Sequence, residues 1–299
     1  IIPSVIKHLR ERDGLPVAPD SFSIKYETGD WTGSPYLHGK RWLVGQLAYE
    51  LDGSSTFKTE KIDSMPELVL ASLALLGSGT VSIGTLVLCL PDDLPDEVEQ
   101  LRSTLKGLHH INTATGSLIV HIKSVLIELE GVAAFRHLKS ENFFATNKLN
   151  GVLDIGGGNS SAMIFSPNGY PILESRKGLA GMGELARQIA TSSDTLRGVE
   201  GKGCSPKPEL ILDGIADGSF QYGVTGKSFK TEFDICFSQW SNTLRNEIKT
   251  QWGAWLPSIS EVAIIGGAAP LMTNLVESSK GRFRIATDPA VCTARGMVL

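Results

Sequence analysis

The residues best suited to chemistry lie in GVLDIGGGNSSAMIF, residues 151–165. An apolar run ends in the carboxylate of Asp154. Gly156, Gly157 and Gly158 follow, then Asn159, Ser160 and Ser161, then a second apolar run. Three successive glycines leave backbone N–H groups unshielded, and such a turn can offer several of them to an anion. Glycine-rich phosphate loops usually open a helix, whose N-terminus adds positive potential. Here the next residues read as a strand and the G-x-G-x-x-G pattern is missing, which excludes a dinucleotide-binding loop. GKS at 226–228 is not a Walker loop either, because the glycine required five residues earlier is Gln221. An ionised Asp154 repels phosphate unless a cation or its bound water lies between them. Mg²⁺ does this, keeping its waters while bridging a carboxylate to nucleotide phosphates. The stretch therefore reads as a strand–turn–strand phosphate clamp, with Asn159, Ser160 and Ser161 as further donors. A plain tight turn with a solvent-facing aspartate is the alternative.

VAIIGGAAP, residues 262–270, repeats the logic with an apolar strand, paired glycines, small residues and a proline. Gly266 and Gly267 would let a flat ring lie directly on the backbone, and a strand end beside a helix start suits a nucleoside. A close strand-to-helix packing turn is the alternative.

The elements that must position these turns alternate in type. Strands are expected at 21–26 and 36–44, around the loop ETGDWTGSP, and helices at 66–77 and 95–107. VSIGTLVLCLP, residues 81–91, reads as a buried strand, and 116–131 as two strand segments. A short helix is expected over 131–139. A hairpin turns at Pro167-Asn168-Gly169, where φ > 0 is accessible. A helix begins in 181–190, a linker fills 191–209, and helical spacing returns over 233–256. The second glycine motif leads into a helix reaching 279, and a last helix covers 288–299. The pattern is α/β, with two related halves and a ligand between them.

Composition narrows the function classes. The chain has 299 residues, with 41% hydrophobic and 20% charged content, as in an ordinary globular protein long enough for two domains. A net charge of −4 provides no global basic field for nucleic acid or membrane. The four cysteines include no C-x-x-C pair. Cys89 and Cys292 read as buried thiols, pointing to a reducing cytoplasm. The six histidines lack ligand spacing, and His109-His110 suits a solvated loop or turn. No apolar run is long enough to span a bilayer, and IIPSVIKHLRERDG has no signal-peptide pattern.

LDIGGGNSSAMIF and VAIIGGAAPLM together resemble the phosphate-2 and adenosine motifs of the actin, hexokinase and chaperone ATPase superfamily. ELEGVAAF (128–135) and AVCTARGM (290–297) are similar to its two connecting helices, with Thr293 where asparagine is commoner. VGQLA, MPELVLASLALL, LPDDL and LKGLHHI are similar to the ParM/StbA-type plasmid-segregation actins. The resemblance implies an α/β protein of two ribonuclease-H-like domains, 1–138 with 287–299 and 139–286, flanking a cleft for ATP or ADP with Mg²⁺. It implies that Asp154 holds Mg²⁺ through water and that Gly156, Gly157, Gly158 and Asn159 clamp the β- and γ-phosphates. Gly266, Gly267 and Ala268 would line the adenosine. Glu184, Arg187 or Gln188, on the helix opened by Gly181 and Gly183, would approach ribose or base. Glu130 would orient the attacking water, as a carboxylate beside a phosphorylated ligand can; Glu128 is its nearest competitor, and a first-turn glutamate favouring the helix dipole is the alternative.

The family's first phosphate motif, an Asp-x-Gly turn expected ahead of IIPSVI, is not found in these residues; an omitted segment is the expected reason, and loss of half the phosphate clamp is the alternative. The implied activity is ATP hydrolysis coupled to cytoplasmic filament assembly from copies of the chain. Such filaments move plasmid DNA through a DNA-binding adaptor rather than by direct nucleic-acid or membrane contact. Trp31, Tyr36, Trp252 and Trp255 are candidate protomer contacts, ordinary burial being the alternative. A small-molecule kinase acting on a sugar or carboxylate, and a nucleotide-binding scaffold with weak hydrolysis, are the competing functions.

Overall fold

The computed structural model describes residues 4–18, 21–27, 37–55, 61–90, 95–144, 147–201 and 204–299. The expected loop around Trp31, the candidate contacts Trp31 and Tyr36, and most of LPDDL lie outside the described residues. The chain divides into two compact units, residues 1–129 and 130–299.

The first unit contains β1 (Val5–His8), β2 (Ser21–Glu27), β3 (Arg41–Gly45), α1 (Gln46–Glu50), β4 (Ser54–Ser55) and α2 (Lys61–Ser72). It continues with β5 (Gly79–Leu90), α3 (Pro95–Leu105), β6 (Gly107–Thr113) and β7 (Gly116–Leu129). The seven strands form one sheet in the order β4-β1-β3-β2-β6-β7-β5. Ile24, Tyr26, Trp42, Leu70, Val120 and Ile122 anchor its core. The indole N–H of Trp42 donates to the Glu67 carbonyl at 2.9 Å, so this large ring is buried with its polar atom satisfied.

Several expectations for this unit are corrected. The helix expected from Pro66 begins at Lys61 and carries Pro66 inside it. β5 lies at a sheet edge, with most of its first half exposed; apolar content alone does not separate an edge strand from a central one. Cys89 is accordingly half-buried rather than buried. Residues 116–129 form one strand, because Lys123 and Ser124 are exposed positions within it and not a break. His109 and His110 lie on β6, not in a loop. His109 is 1% exposed. Its Nε2 lies 2.8 Å from the Leu105 carbonyl and must donate, so Nδ1 accepts from the Tyr26 hydroxyl at 2.9 Å. Burial pushes its pKa down, in keeping with a neutral ring.

The second unit begins with α4 (Val132–Ser140), β8 (Leu149–Ile155), β9 (Asn159–Phe165), β10 (Pro171–Ala180) and α5 (Met182–Ser192). Next come α6 (Asp194–Glu200), α7 (Pro208–Ala216) and α8 (Lys230–Trp252). β11 (Ile259–Ile265), α9 (Thr273–Ser278), β12 (Phe283–Ile285) and α10 (Cys292–Gly296) complete it. The sheet order is β10-β9-β8-β11-β12. β9 runs antiparallel to β8 and β10, and β11 runs parallel to β8 and β12.

α8 buries Phe233, Cys236, Trp240, Leu244, Ile248 and Trp252, a stripe spaced by three or four residues, into the same core as Leu153, Ile155 and Ile264. Trp252 is therefore a core residue and not an exposed protomer contact; its indole N–H donates to the Ser175 carbonyl at 2.8 Å. Trp255 is half-buried against the same core. The expected linker at 191–209 contains α6. Ser193 caps it by accepting from the Leu196 N–H, Asp194 complements its first turn, and Gly201 ends it at φ 88°.

Candidate functional site

β8 is buried continuously over Asn150–Leu153 and again at Ile155; Leu153 and Ile155 belong to this unit's core, and Asp154, half-buried between them, lies on the other face of the strand. Ser161 on β9 stands directly opposite Asp154 in the ladder, and Ile265 on β11 is its parallel partner. Ser160 pairs with Ile155 instead. It is 2% exposed, with an Oγ that has no hydrogen-bond partner among the described residues, so it is not available as a ligand donor. Gly157, Gly158 and Asn159 are exposed in the turn between β8 and β9.

Three glycine-bearing segments meet at the end of β8. The Ala268 N–H donates to the Ile155 carbonyl at 3.2 Å, which ties the second glycine motif to the first. The Met182 and Gly183 N–H groups donate to the Gly156 and Gly157 carbonyls at 3.0 and 2.7 Å. These donors belong to the first turn of α5, so the helix start is satisfied by the glycine turn itself and not held open for an anion. An anion at this place would be bound by the N–H groups of the turn.

The glycines divide into two kinds. A Cβ on Gly156 would overlap the Asn159 carbonyl, and one on Gly181 would lie 2.5 Å from the Gly158 carbonyl oxygen. At Gly266, where φ is +91°, it would lie 2.5 Å from Asp154 Oδ1 and overlap the Ile155 carbonyl. These three permit the close approach of backbone to backbone. Around Gly157 and Gly267 a Cβ would meet nothing within 4 Å. Both are exposed and present bare backbone to open space. Ala268 beside them is half-buried.

Glu184, Arg187 and Gln188 form one polar group on α5. Arg187 Nε and Nη2 donate to Glu184 Oε2 at 3.1 and 2.7 Å, and Gln188 Nε2 donates to Oε1 at 3.4 Å. The Arg187 guanidinium is the main reason that Glu184 is held below its ordinary pKa.

Glu130 is half-buried in the turn before α4, next to Gly131. Its helix connects to the glycine assembly through α10. Arg136 Nη1 donates to the Gly296 carbonyl at 2.9 Å, and a Cβ on Gly296 would overlap Ala133 O, so α4 and α10 touch backbone to backbone. The 3₁₀ turn at Pro289–Val291, just before α10, accepts the Gly266 N–H on the Pro289 carbonyl at 2.9 Å. One residue here was given no role by the sequence reading, and another, Cys292, is buried as expected. Asp288, at φ 48°, holds Arg295 at 2.8 Å. The Cys292 thiol is pushed up mainly by burial, with the negative charges of Asp154 and Asp288 adding to the shift. The similarity of AVCTARGM to a connecting helix pointed toward this corner; the helix expected over 288–299 is a 3₁₀ turn at Pro289–Val291 followed by α10.

Among the described residues no three His, Cys, Asp or Glu side chains gather as a metal cage. The single carboxylate of Asp154 beside exposed backbone N–H groups fits a cation held largely by water and phosphate, the habit of Mg²⁺. Among the described residues no helix is long and apolar enough to cross a membrane. The GKS segment at 226–228 ends in an isolated bridge between Gln221 and Ser228, as expected for a sequence that is not a phosphate loop.

No family model matches the sequence, and no curated protein matches it significantly. Solved structures match along almost the whole chain. The crystal structure of apo pSK41 ParM is 18% identical with a TM-score of 0.64, covering 99% of this chain and 88% of that one. A ParM protomer from a 15-stranded filament of Clostridium botulinum is 17% identical with a TM-score of 0.75, covering 99% and 90%. The archaeal actin homologue Ta0583 in complex with ADP is 14% identical with a TM-score of 0.68, covering 92% and 89%. The chain thus has an actin-like α/β fold, of the form seen in ParM-type plasmid-segregation actins and archaeal actin homologues.

Proposed function

We propose that the chain is an actin-like ATPase that binds ATP or ADP with Mg²⁺ at the assembled glycine turns and polymerises with copies of itself. The observation that carries this reading is the meeting of residues 154–159, 181–184 and 266–268 at one strand end, stitched by the Ala268–Ile155 and Gly183–Gly157 hydrogen bonds. Gly157, Gly158 and Asn159 offer backbone to the phosphates, and Gly267 and Ala268 form the floor for the adenosine. Asp154 would hold the hydrated Mg²⁺, whose chemistry there is to neutralise phosphate charge. Glu184, Arg187 and Gln188 contact the ribose or base from α5. Glu130 positions the attacking water, a proton-accepting role suited to a carboxylate.

The ADP complex of one structural neighbour and the filament of another support this reading by analogy of fold. Movement of plasmid DNA through a separate DNA-binding adaptor is part of the same proposal, in keeping with a net charge of −4.

Light scattering and pelleting with and without ATP, read beside phosphate release, test it. Wild-type chain assembles on ATP addition and then releases phosphate. Asp154→Ala weakens Mg-nucleotide binding, whereas Glu130→Ala still assembles but turns over about 10²-fold more slowly, the lower range for loss of a general base. Unchanged hydrolysis in Glu130→Ala would remove that residue from the mechanism. Absence of ATP-dependent assembly in the wild type would remove the filament.

A further inference from the structure

Within the second unit, α5, the end of β10 and α8 leave an open cleft of about 240 Å³. Its floor is apolar: Leu179 comes from β10, and Trp240 and Leu244 come from the buried row of α8. Its rim is polar. Gln239, Thr243 and Glu247 recur at four-residue intervals and so stand in one row along α8, and Gln188 of α5 also lines the cleft.

The hydrogen bonds already made at this rim decide what it can still take. The Thr243 hydroxyl donates to the Gln239 backbone carbonyl at 3.1 Å, which leaves its oxygen as an acceptor. Gln188 Nε2 donates to Glu184 Oε1 at 3.4 Å, which leaves Gln188 Oε1 as an acceptor. Lys177 Nζ meets Glu247 at Oε2, 3.4 Å away, so Glu247 Oε1 remains. The two side chains of that pair are 37% and 39% exposed, where an ion pair holds weakly. The Trp240 indole N–H has no acceptor among the described residues, but it is covered by its neighbours and adds no donor to the cleft surface. The Gln239 carboxamide can turn either way. No lysine, arginine or histidine is among the described residues that line the cleft.

We propose that this cleft binds a small arylalkylamine: one aromatic ring with a primary ammonium two or three carbons away. An ammonium has three donors and no acceptor, the complement of Thr243 Oγ1 and Glu247 Oε1. Thr243 and Glu247 are neighbours one helical turn apart, about 5–6 Å between Cβ atoms, so one ammonium reaches both. The ring rests on Leu179, Leu244 and the Trp240 ring. A cleft of this volume lies at the small end for ligand sites and suits roughly ten non-hydrogen atoms. A phosphate or carboxylate ligand would face Glu247 with no cation in the lining to offset the repulsion. A wholly apolar ligand would strip water from the rim acceptors and return nothing.

The probe is 2-phenylethylamine, with 3-phenylpropionate, which carries the same ring on a carboxylate, as control. Saturation-transfer NMR on the nucleotide-free 299-residue chain detects binding, and titration gives the affinity. The amine is expected to bind with a dissociation constant of about 1 mM or lower, within the range for a ligand of roughly ten atoms, and the acid about tenfold or more weakly. Glu247→Gln keeps the side-chain shape and removes the charge. It should weaken the amine about tenfold or more without weakening the acid, and leave the circular dichroism spectrum unchanged. Should that variant not fold, Thr243→Val at an exposed position, expected to weaken the amine several-fold, decides together with the contrast between amine and acid. An amine that fails to bind, that binds no more tightly than the acid, or that binds Glu247→Gln as well as the wild type overturns the proposal. Thr243 and Glu247 have no part in the nucleotide proposal and the test contains no nucleotide, so the two readings fail separately.

Discussion

Replacing Gly267 by alanine adds one methyl group at a point where nothing lies within 4 Å of it. Its backbone is not in the left-handed region, so folding stability should change by no more than about 0.5 kcal/mol, the usual range for a surface substitution. The neighbouring Gly266→Ala is a different perturbation. At φ +91° the left-handed backbone alone costs an alanine about 1–2 kcal/mol. The new Cβ would also lie 2.5 Å from Asp154 Oδ1 and overlap the Ile155 carbonyl, which is held in place by the Ala268 N–H. Strand end and turn must separate to admit it, giving a total near 3 kcal/mol, in the upper range for single substitutions.

Urea unfolding followed by circular dichroism measures the first quantity, and titration with a fluorescent ATP analogue measures affinity. If a base or ribose rests on the backbone at 267, the methyl group lifts it out of contact and weakens binding at least tenfold, about 1.4 kcal/mol, with the fold intact. Gly267→Ala binding nucleotide as tightly as the wild type would refute the assignment of this face. Wild-type stability in Gly266→Ala would refute the steric argument itself.

Further outcomes concern the supports of the site and the first unit. Gly296→Ala drives a Cβ into Ala133 O and should destabilise the second unit by about 3 kcal/mol in urea, through separation of α4 from α10. Ser193→Ala removes the α6 cap and should cost about 1 kcal/mol by the same measurement, with nucleotide affinity unchanged. In the first unit His8 Nε2 lies 3.1–3.2 Å from both oxygens of buried Glu67, and this hydrogen bond raises the His8 pKa above its ordinary 6.5. A group raised in the folded state stabilises fully below the unfolded pKa and loses that stabilisation as pH rises through the folded value. Melting temperature should therefore fall slightly as pH increases from 6 to 8, and His8→Gln should flatten the change. Because the His8 side chain is 63% exposed, the effect stays within about 1 kcal/mol. His109 acts in the opposite sense: its lowered pKa means that stability declines as pH falls below 6.5.

The turns were legible in the sequence because bare backbone beside a carboxylate is a chemical statement, and Gly156–Gly158 and Gly266–Gly267 do stand together. Which glycines serve packing and which face open space was not legible. That division depends on the Asn159, Gly158 and Ile155 carbonyls, which only the fold brings into position. Ser160 looked equivalent to Ser161, but a strand sends neighbours to opposite faces. α6 was missed because Ser192, Ser193 and Gly198 suggested a loop, although Ser193-Asp194 is also a helix-start signal. Trp252 appeared free only while the register of α8 was unknown. Asp288 and Pro289 carried no local signal, since their place beside Gly266 arises from the return of the chain after β12.

The bonds from Met182 and Gly183 to the Gly156 and Gly157 carbonyls make the bend and the start of α5 a single mechanical part. Any displacement of the bend must therefore carry the helix with it or break two hydrogen bonds. Glu184, Arg187 and Gln188 ride on that helix, so under the proposed function occupancy of the crook would be felt by polar side chains several residues away.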